Sequence, residues 1–377
     1  MSETSKPAEM RRSSLELFRI ISMLFILAHH YVVHSGFLSS GPIVDNPLSL
    51  HSQFLLLFGA WGKTGINCFV LFSGYFMCEK HITLKKFLKL LLEILFYKAL
   101  VAFLFSVTGY YRMSLIETVQ YLIPVRELNQ DFYAGYLVFF LFIPFLNVLV
   151  HHMNEKTHLR LLALLSFAYI FLGTVPGFSV TTNNSVWYMV LYIISSYIRL
   201  YPKKIFDNRR FWKISALVCL LVSSLSVIVC SRLIAPLGKG VSFAWSFVMD
   251  SNTLLAVLTA LSAFMYFRNA SVPQSKVINA VASATFGVLL IHANGVPMKK
   301  WLWEDVLHTL EYNKTAWGIL HAVLAVLIVF TVAACIDLIR IRFIEKPFFR
   351  WLDTVLPGVE RRWRRFEEKL SGKWHIG

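Results

Sequence analysis

Long apolar runs separated by short polar segments dominate the chain. Ten stretches, 15–37, 55–78, 87–110, 132–151, 159–176, 185–201, 211–233, 250–267, 278–298 and 317–339, each hold close to the roughly 20 residues that a helix needs to cross a bilayer. The longest outer connections, near 38–54, 111–131 and 299–316, are short, and no soluble domain of useful size interrupts the series. The pattern predicts an all-α polytopic membrane protein of about ten transmembrane helices. The second stretch is the least uniform: Gly59, Gly62 and Gly65 predict a break into a short re-entrant piece and a helix. No internal repeat is visible, which argues against transporter folds built by duplication.

Composition strengthens this picture. Of the 377 residues 56% are hydrophobic and 15% charged, against roughly a quarter charged in a typical soluble domain. One soluble core of this length has no means of hiding so much apolar surface, whereas lipid solvates the outward faces of a bundle. The first run follows Arg11 and Arg12 as a signal peptide would. It is longer than the roughly 7–15 residues of a signal-peptide core and contains His29 and His30, so it reads as a retained helix. The five cysteines form no C-x-x-C pair, and neither a disulfide framework nor a zinc site is expected.

The net charge of +16 has a location as well as a size. With the N-terminus in the cytoplasm and ten crossings, the inner segments carry Lys6 to Arg19, Lys80 to Lys89, Lys156, Arg160, Arg199 to Lys213, Arg268, Lys276 and the tail from Arg340 to Lys373. The outer segments carry Arg112, Arg126, Arg232, Lys239, Lys299, Lys300 and Lys314. The excess is about four to one, as the positive-inside rule requires, and an even count puts both termini in the cytoplasm. The tail run Arg361-Arg362-Trp363-Arg364-Arg365-Phe366 is suited to anionic lipid at the inner surface, and nucleic acid is not an expected partner.

Ionisable groups at membrane depth are costly and tend to face the bundle interior. The first helix is richest in them, with Glu16, Arg19, His29, His30 and His34. Arg19 and His30 are eleven residues apart, so they share one face at a separation of about 16 Å, and His34 follows one turn on. A ligand lying along this stripe meets a cation near the cytoplasm and an imidazole, the usual general base near neutral pH, beyond the midpoint. The alternative is an arginine snorkelling to head groups and histidines bonded to neighbouring helices. His30 and His34 lack the accompanying glutamate of a zinc-protease pattern, and no metal is expected. Lys85, Lys86 and Lys89 open the third helix, where Lys86 and Lys89 share a face suited to phosphates or to ordinary anchoring. Glu93 is placed to pair with Lys89, Lys98 needs a partner from another helix, and His292 lies at a depth similar to that of His30. Asp131, Asp250 and Asp337 sit at span ends, where solvated or capping roles are expected.

These residues resemble a known family, the "acyltransferase 3" membrane acyltransferases, in particular the branch that acetylates bacterial exopolysaccharide and surface sugars. The segment Leu15 to Met23 continuing to His29-His30-Tyr31 is similar to the family's first helix with its Arg-x10-His pattern, met by Arg19 and His30. Gly62 to Tyr75 resembles its glycine-framed Phe-Val-Leu-Ser-Gly segment. Phe132, Tyr136 and Pro144 to Asn147 fit the fourth helix, and Trp187-Tyr188 to Arg199 the sixth. Thr285 to His292 fits the ninth, and Asp337, Arg340 and Glu345-Lys346-Pro347 the end. The resemblance implies a cytoplasmic segment 1–14, an acyltransferase domain over 15–352 and a basic tail over 353–377; some members of the family carry an esterase-like domain after the last helix, and none is expected here. It implies an acyl-CoA donor, usually acetyl-CoA, bound by Arg19 and by a basic pair that reads Lys86-x-x-Lys89 here, where lysine keeps the charge but not the bidentate geometry of arginine. It implies catalysis by His30. His292, His34, Tyr75, Tyr136 and Trp187 are candidates for holding the acceptor or the tetrahedral oxyanion. The expected activity is O-acyl transfer, most simply O-acetyl transfer, to a hydroxyl of a polysaccharide or lipid-linked sugar at the cell membrane. An exporter or flippase of such a sugar, and a non-catalytic envelope scaffold, are the alternatives.

Overall fold

The computed structural model describes residues 12–355 apart from 176, 179, 181, 182 and 235–240, together with residue 358. The expected N-terminal segment 1–14 therefore enters only from Arg12, and nearly all of the expected tail 353–377, with its Arg361 to Phe366 run, lies outside the described residues.

Every regular element among the described residues is helical. The main ones are α1 (Ser13–Val33), α2 (Leu50–Gly59), α3 (Gly62–Met77), α4 (Leu84–Thr108), α5 (Leu115–Leu122), α6 (Phe132–His152), α7 (Glu155–Leu165), α8 (Asn184–Leu200), α9 (Arg209–Ile234), α10 (Leu254–Asn269), α11 (Lys276–Ser283), α12 (Thr285–His292) and α13 (Gly318–Arg340). Small polar residues punctuate the apolar runs. Ser49, Thr83, Asn154 and Asn183 each accept a backbone N–H at the start of α2, α4, α7 and α8, satisfying a donor that has no partner within the helix. Ser114 and Glu117 close a reciprocal capping box on α5. Gly109, at φ +72°, ends α4 in the left-handed conformation that side chains resist.

All ten apolar stretches are helical, but length and composition support fewer than the expected ten spans. Among the described residues seven helices are long and apolar enough to cross a membrane, or eight if the bent pair Lys276–His292 and Gly295–Val306, with 102° between its halves, is one span. The physical reason is length. α8 has 17 residues and α10 has 16, which at about 1.5 Å per residue reach only about 24–26 Å against a hydrocarbon core of about 30 Å. The expected re-entrant piece is not formed either: α2 and α3 follow one another, across a break at Ala60 and Trp61, as one 28-residue candidate span.

Contacts order the helices between two ends. Going down α3 from Gly62 to Gly65 goes down α1 in reverse, from His29 to Ser22. At one end Ser13 bonds Asn279, Arg199 pairs with Glu79, Arg268 with Asp207 and Lys203 with Glu155. At the other, His51 bonds Asn313, Tyr121 bonds Asn294 and Gln53 bonds Ser231. Two apolar cores fill the space between, one around Tyr31, Trp245 and Trp303 and one around Trp187, Tyr192 and Phe264. Leu217, Leu221 and Leu225 of α9 and Leu320, Leu324 and Leu327 of α13 face outward. A multi-pass protein turns such a surface to lipid.

The approach of α3 to α1 is close enough to need glycine. A Cβ at Gly65 would lie 2.7 Å from the Ser22 carbonyl oxygen and 2.9 Å from Ile26. The Gly65→Ala variant is expected to lose about 1–3 kcal/mol of stability. A thermal melt of the detergent-purified protein that matches wild type would refute this packing.

Candidate active site

Arg19 and His30 do share a stripe of α1, and both reach the same partner helix. The Arg19 guanidinium donates to Thr285 Oγ1 (3.2 Å), at the start of α12, and to Glu16 (2.9 Å). Two turns further along α12, His292 Nε2 lies 2.9 Å from His30 Nδ1. The two helices thus run in the same direction, with a cation bridge at one end and an imidazole pair at the other.

The imidazole pair has an order set by its surroundings. His292 is fully buried, and its Nδ1 lies 2.6 Å from the Val288 carbonyl oxygen, an acceptor with no proton to give. The Nδ1 proton of His292 is therefore donated to Val288, leaving Nε2 with a lone pair. That lone pair accepts from His30 Nδ1–H, which leaves His30 Nε2 as a lone-pair acceptor able to act as a base. The His34 ring stands 5.0 Å from that of His30. His29 is held differently: its Nδ1 donates to the Gly59 carbonyl (2.6 Å), its ring lies over Gly62, where a Cβ would come within 2.3 Å, and its ring centre is 5.9 Å from that of His30.

Three hollows lie in series along this stripe. The first, of about 910 Å³, is lined by Arg19, Lys86, Lys89 and Tyr136, and Arg340, Arg342 and Lys346 bring its cations to six against the carboxylates Glu93 and Glu345. The second, of about 70 Å³, surrounds His30 together with Lys63, Asn184 and Lys299. The third, of about 320 Å³, lies beyond it and is lined by Lys98, Tyr121 and Glu127. Phe132 lines both the first and the second. Gln130, Asp131, Tyr133 and Lys299 line both the second and the third. The start of α6 is thus the partition between all three.

The wall of the first hollow is an ion cluster inside the bundle. Arg340 donates to Asp337 (2.6 Å), Glu345 (2.9 Å) and Glu93 (2.8 Å), and Tyr97 donates to Asp337 (2.7 Å). Asp337 is completely buried, which corrects the expectation of a solvated or capping role at a span end. Glu93 pairs with Arg340, and Lys89 pairs instead with Glu345 (2.5 Å), which corrects the expected Lys89–Glu93 pair.

The remaining candidates separate. Lys86 donates to the His81 carbonyl (2.7 Å) at the edge of the first hollow, and Tyr136 donates to Ser73 (2.9 Å) within it. Tyr75 lies in a side hollow of about 270 Å³, where its hydroxyl accepts from Arg268 (3.0 Å) and Arg199 (3.3 Å). Trp187 lines none of these hollows; its indole N–H donates to Asn67 (2.9 Å) within the packed core. Lys63 and Lys299 beside His30 were passed over in the sequence because each looks like an ordinary cation near a span end. Among the described residues no group of three or more His, Cys, Asp or Glu is arranged to hold a metal ion.

An interior of this kind belongs to a multi-pass membrane protein with a buried polar site. A family model, Acyl_transf_3, described as an acyltransferase domain, matches residues 12–340, and the chain belongs to that family. It is accordingly a membrane acyltransferase, acting on an acyl donor and an acceptor, rather than an exporter or a scaffold. The searches of curated proteins and of solved structures returned no match.

The hydrogen-bond order makes a spectroscopic prediction. In histidine-¹⁵N-labelled protein, neutral His30 and His292 are both expected to carry their proton on Nδ1, each assigned by the signal lost on its substitution. A neutral His30 found with its proton on Nε2 would refute the order.

Proposed function

We propose that this acyltransferase moves an acetyl group from cytoplasmic acetyl-CoA to a hydroxyl of a polysaccharide or lipid-linked sugar reached from the outer face of the cell membrane. The observation that carries this reading is the series of three hollows with His30 in the narrow central one. The wide first hollow, with its cationic excess, suits the phosphates and nucleotide of CoA, with Arg19, Lys86 and Lys89 as donor-binding groups. The central chamber, at about 70 Å³, is the smallest of the three hollows. That suits a two-carbon acyl group and not a fatty chain.

The chemistry needs only groups at hand. The acceptor oxygen attacks the thioester carbonyl carbon while His30 Nε2 takes the hydroxyl proton. A C–O bond forms, the tetrahedral intermediate collapses with loss of the C–S bond, and the imidazolium returns its proton to the leaving CoA thiolate. Charge on the intermediate's oxygen is met by the ammonium groups of Lys63 and Lys299. His292 acts through His30, holding its proton on Nδ1 so that Nε2 is free.

The membrane orientation is part of the proposal. The cations assigned to the cytoplasm, Arg12, Lys80, Arg199 and Arg268, line one side hollow next to the first hollow, and the positive-inside rule puts that end in the cytoplasm. The contacts that alternate between the two ends support ten crossings, with the short α8 and α10 shielded by their neighbours, and both termini inside. The acyltransferase domain then runs over 15–352.

Protein reconstituted with acetyl-labelled acetyl-CoA is expected to pass the label to carbohydrate. His30→Ala is expected to lower the transfer rate by about 10²–10⁴-fold with normal insertion, and full turnover would remove His30 from the mechanism. Arg19→Ala is expected to raise the donor KM far more than it lowers kcat, and an unchanged donor KM would refute its role. His292→Leu is expected to lower kcat at constant donor KM, with partial rescue by His292→Gln, whose amide oxygen also accepts from His30. Equal effects of the two substitutions would reduce His292 to a packing residue.

A further inference from the structure

The third hollow has a composition that the donor and His30 do not explain. Tyr111, Tyr121 and Tyr133 stand in its wall. Lys98, only 5% exposed, lies over the faces of two of them, 4.3 Å from the Tyr121 ring centre and 5.1 Å from that of Tyr133. Its charge is thus held by aromatic faces. Three cations, Lys98, Arg126 and Lys299, are balanced by three carboxylates, Glu117, Glu127 and Asp131. Of these, Glu117 caps its own helix and Asp131 accepts from the Tyr133 hydroxyl (2.5 Å). Gln120 and Gln130 add amides that both donate and accept.

Charge balance makes this a poor site for a phosphate or another multiply charged anion, in contrast to the six-to-two cation excess of the first hollow. The mixture of carboxylates and amides is too polar for an acyl chain. The exposed Tyr111 ring beside carboxylate and amide groups suits a ligand with a ring of apolar C–H faces and hydroxyls around its edge. The hydroxyls need both donors and acceptors, and the ring needs a flat apolar surface. The hollow also adjoins the reacting centre, since four of its lining residues line the His30 chamber too.

We propose that this outer hollow is the acceptor site, and that it takes an uncharged sugar residue, stacked on Tyr111 and hydrogen-bonded by Glu127 and the glutamines, with one hydroxyl directed past Asp131 and Tyr133 towards His30. The inference rests on the O-acetyl transfer proposed above and adds to it the site and the neutral character of the acceptor.

Tyr111 and Glu127 are exposed, so their replacement leaves the core intact. The test uses the full-length protein in nanodiscs, labelled acetyl-CoA, and as acceptor probe the alkali-deacylated surface polysaccharide of cells that carry the protein, separated into neutral and acidic fractions. Wild type is expected to label the neutral fraction. Tyr111→Ala and Glu127→Gln are each expected to raise its half-saturating concentration about tenfold, as the loss of one good contact does, with the donor KM unchanged and Tyr111→Phe near wild type. An unchanged half-saturating concentration in both variants would overturn the site and leave the transfer reaction standing. Labelling of the acidic fraction alone would overturn the neutral assignment. No labelled carbohydrate with wild type would overturn the carbohydrate acceptor, and the proposed function with it.

Discussion

Arg340 holds three carboxylates inside an apolar bundle, and the site depends on that cluster being closed. Each partner comes from a different part of the architecture: Glu93 from α4, Asp337 from α13 itself, and Glu345 from the segment after it. A lone charge in such surroundings is strongly disfavoured, and removing one member of a buried pair costs about 3–5 kcal/mol. The cluster therefore fixes α4 against α13, and the wall of the first hollow with them. It also seats α12. At Gly287 a Cβ would lie 2.1 Å from the Asp337 carboxyl carbon, so α12 rests directly on the cluster through a residue without a side chain. One and a half turns further along that helix is His292. The chain of constraint runs from Arg340 through Asp337 and Gly287 to the imidazole that orders His30.

The same constraint explains what the sequence disclosed. Helical periodicity alone put Arg19 and His30 on one stripe, and both side chains reach α12 because a polar stripe on a buried helix needs a polar partner. Hydropathy put His292 at the depth of His30, and the two rings are hydrogen-bonded. Both inferences use one helix at a time, where spacing converts directly to geometry. The family resemblance added the order of motifs along the chain, which the match over residues 12–340 bears out at the level of the family.

The remaining features lie between helices. Asp337 looked solvated because it stands near the end of an apolar run, yet the bundle closes around it through Tyr97 and Arg340. Lys89 has Glu93 one turn away, yet the stronger demand comes from Arg340, and Lys89 turns to Glu345. Nothing in the spacing of Lys63, Lys299 or Phe132 marks them as neighbours of one small chamber. Length finds fewer spans than hydropathy for a related reason: a helix wrapped by others has no need to reach across the full hydrocarbon thickness, so hydropathy finds α8 and α10 without their lengths matching the rule.

The partition at the start of α6 ties the architecture to the chemistry. A thioester is hydrolysed wherever water reaches it together with a base, so an acyltransferase that receives its two substrates from opposite faces needs the base accessible to both and to little water. A continuous channel fails this requirement, and so does a solid wall. Phe132, stacked 5.4 Å from Tyr136 and tilted against Tyr188, closes the chamber towards the first hollow with an apolar ring. Asp131 and Tyr133, on either side of it in sequence, close the chamber towards the outer hollow with a hydrogen-bonded polar pair. Asp131 is the extended residue before the helix, and Phe132 and Tyr133, its first two residues, project about 100° apart, so the three present an apolar face to one neighbouring space and polar faces to another. Under the proposed function, the helix start matches each side of the partition to what must pass it: a thioester arm on one side, a hydroxyl on the other, with His30 between them.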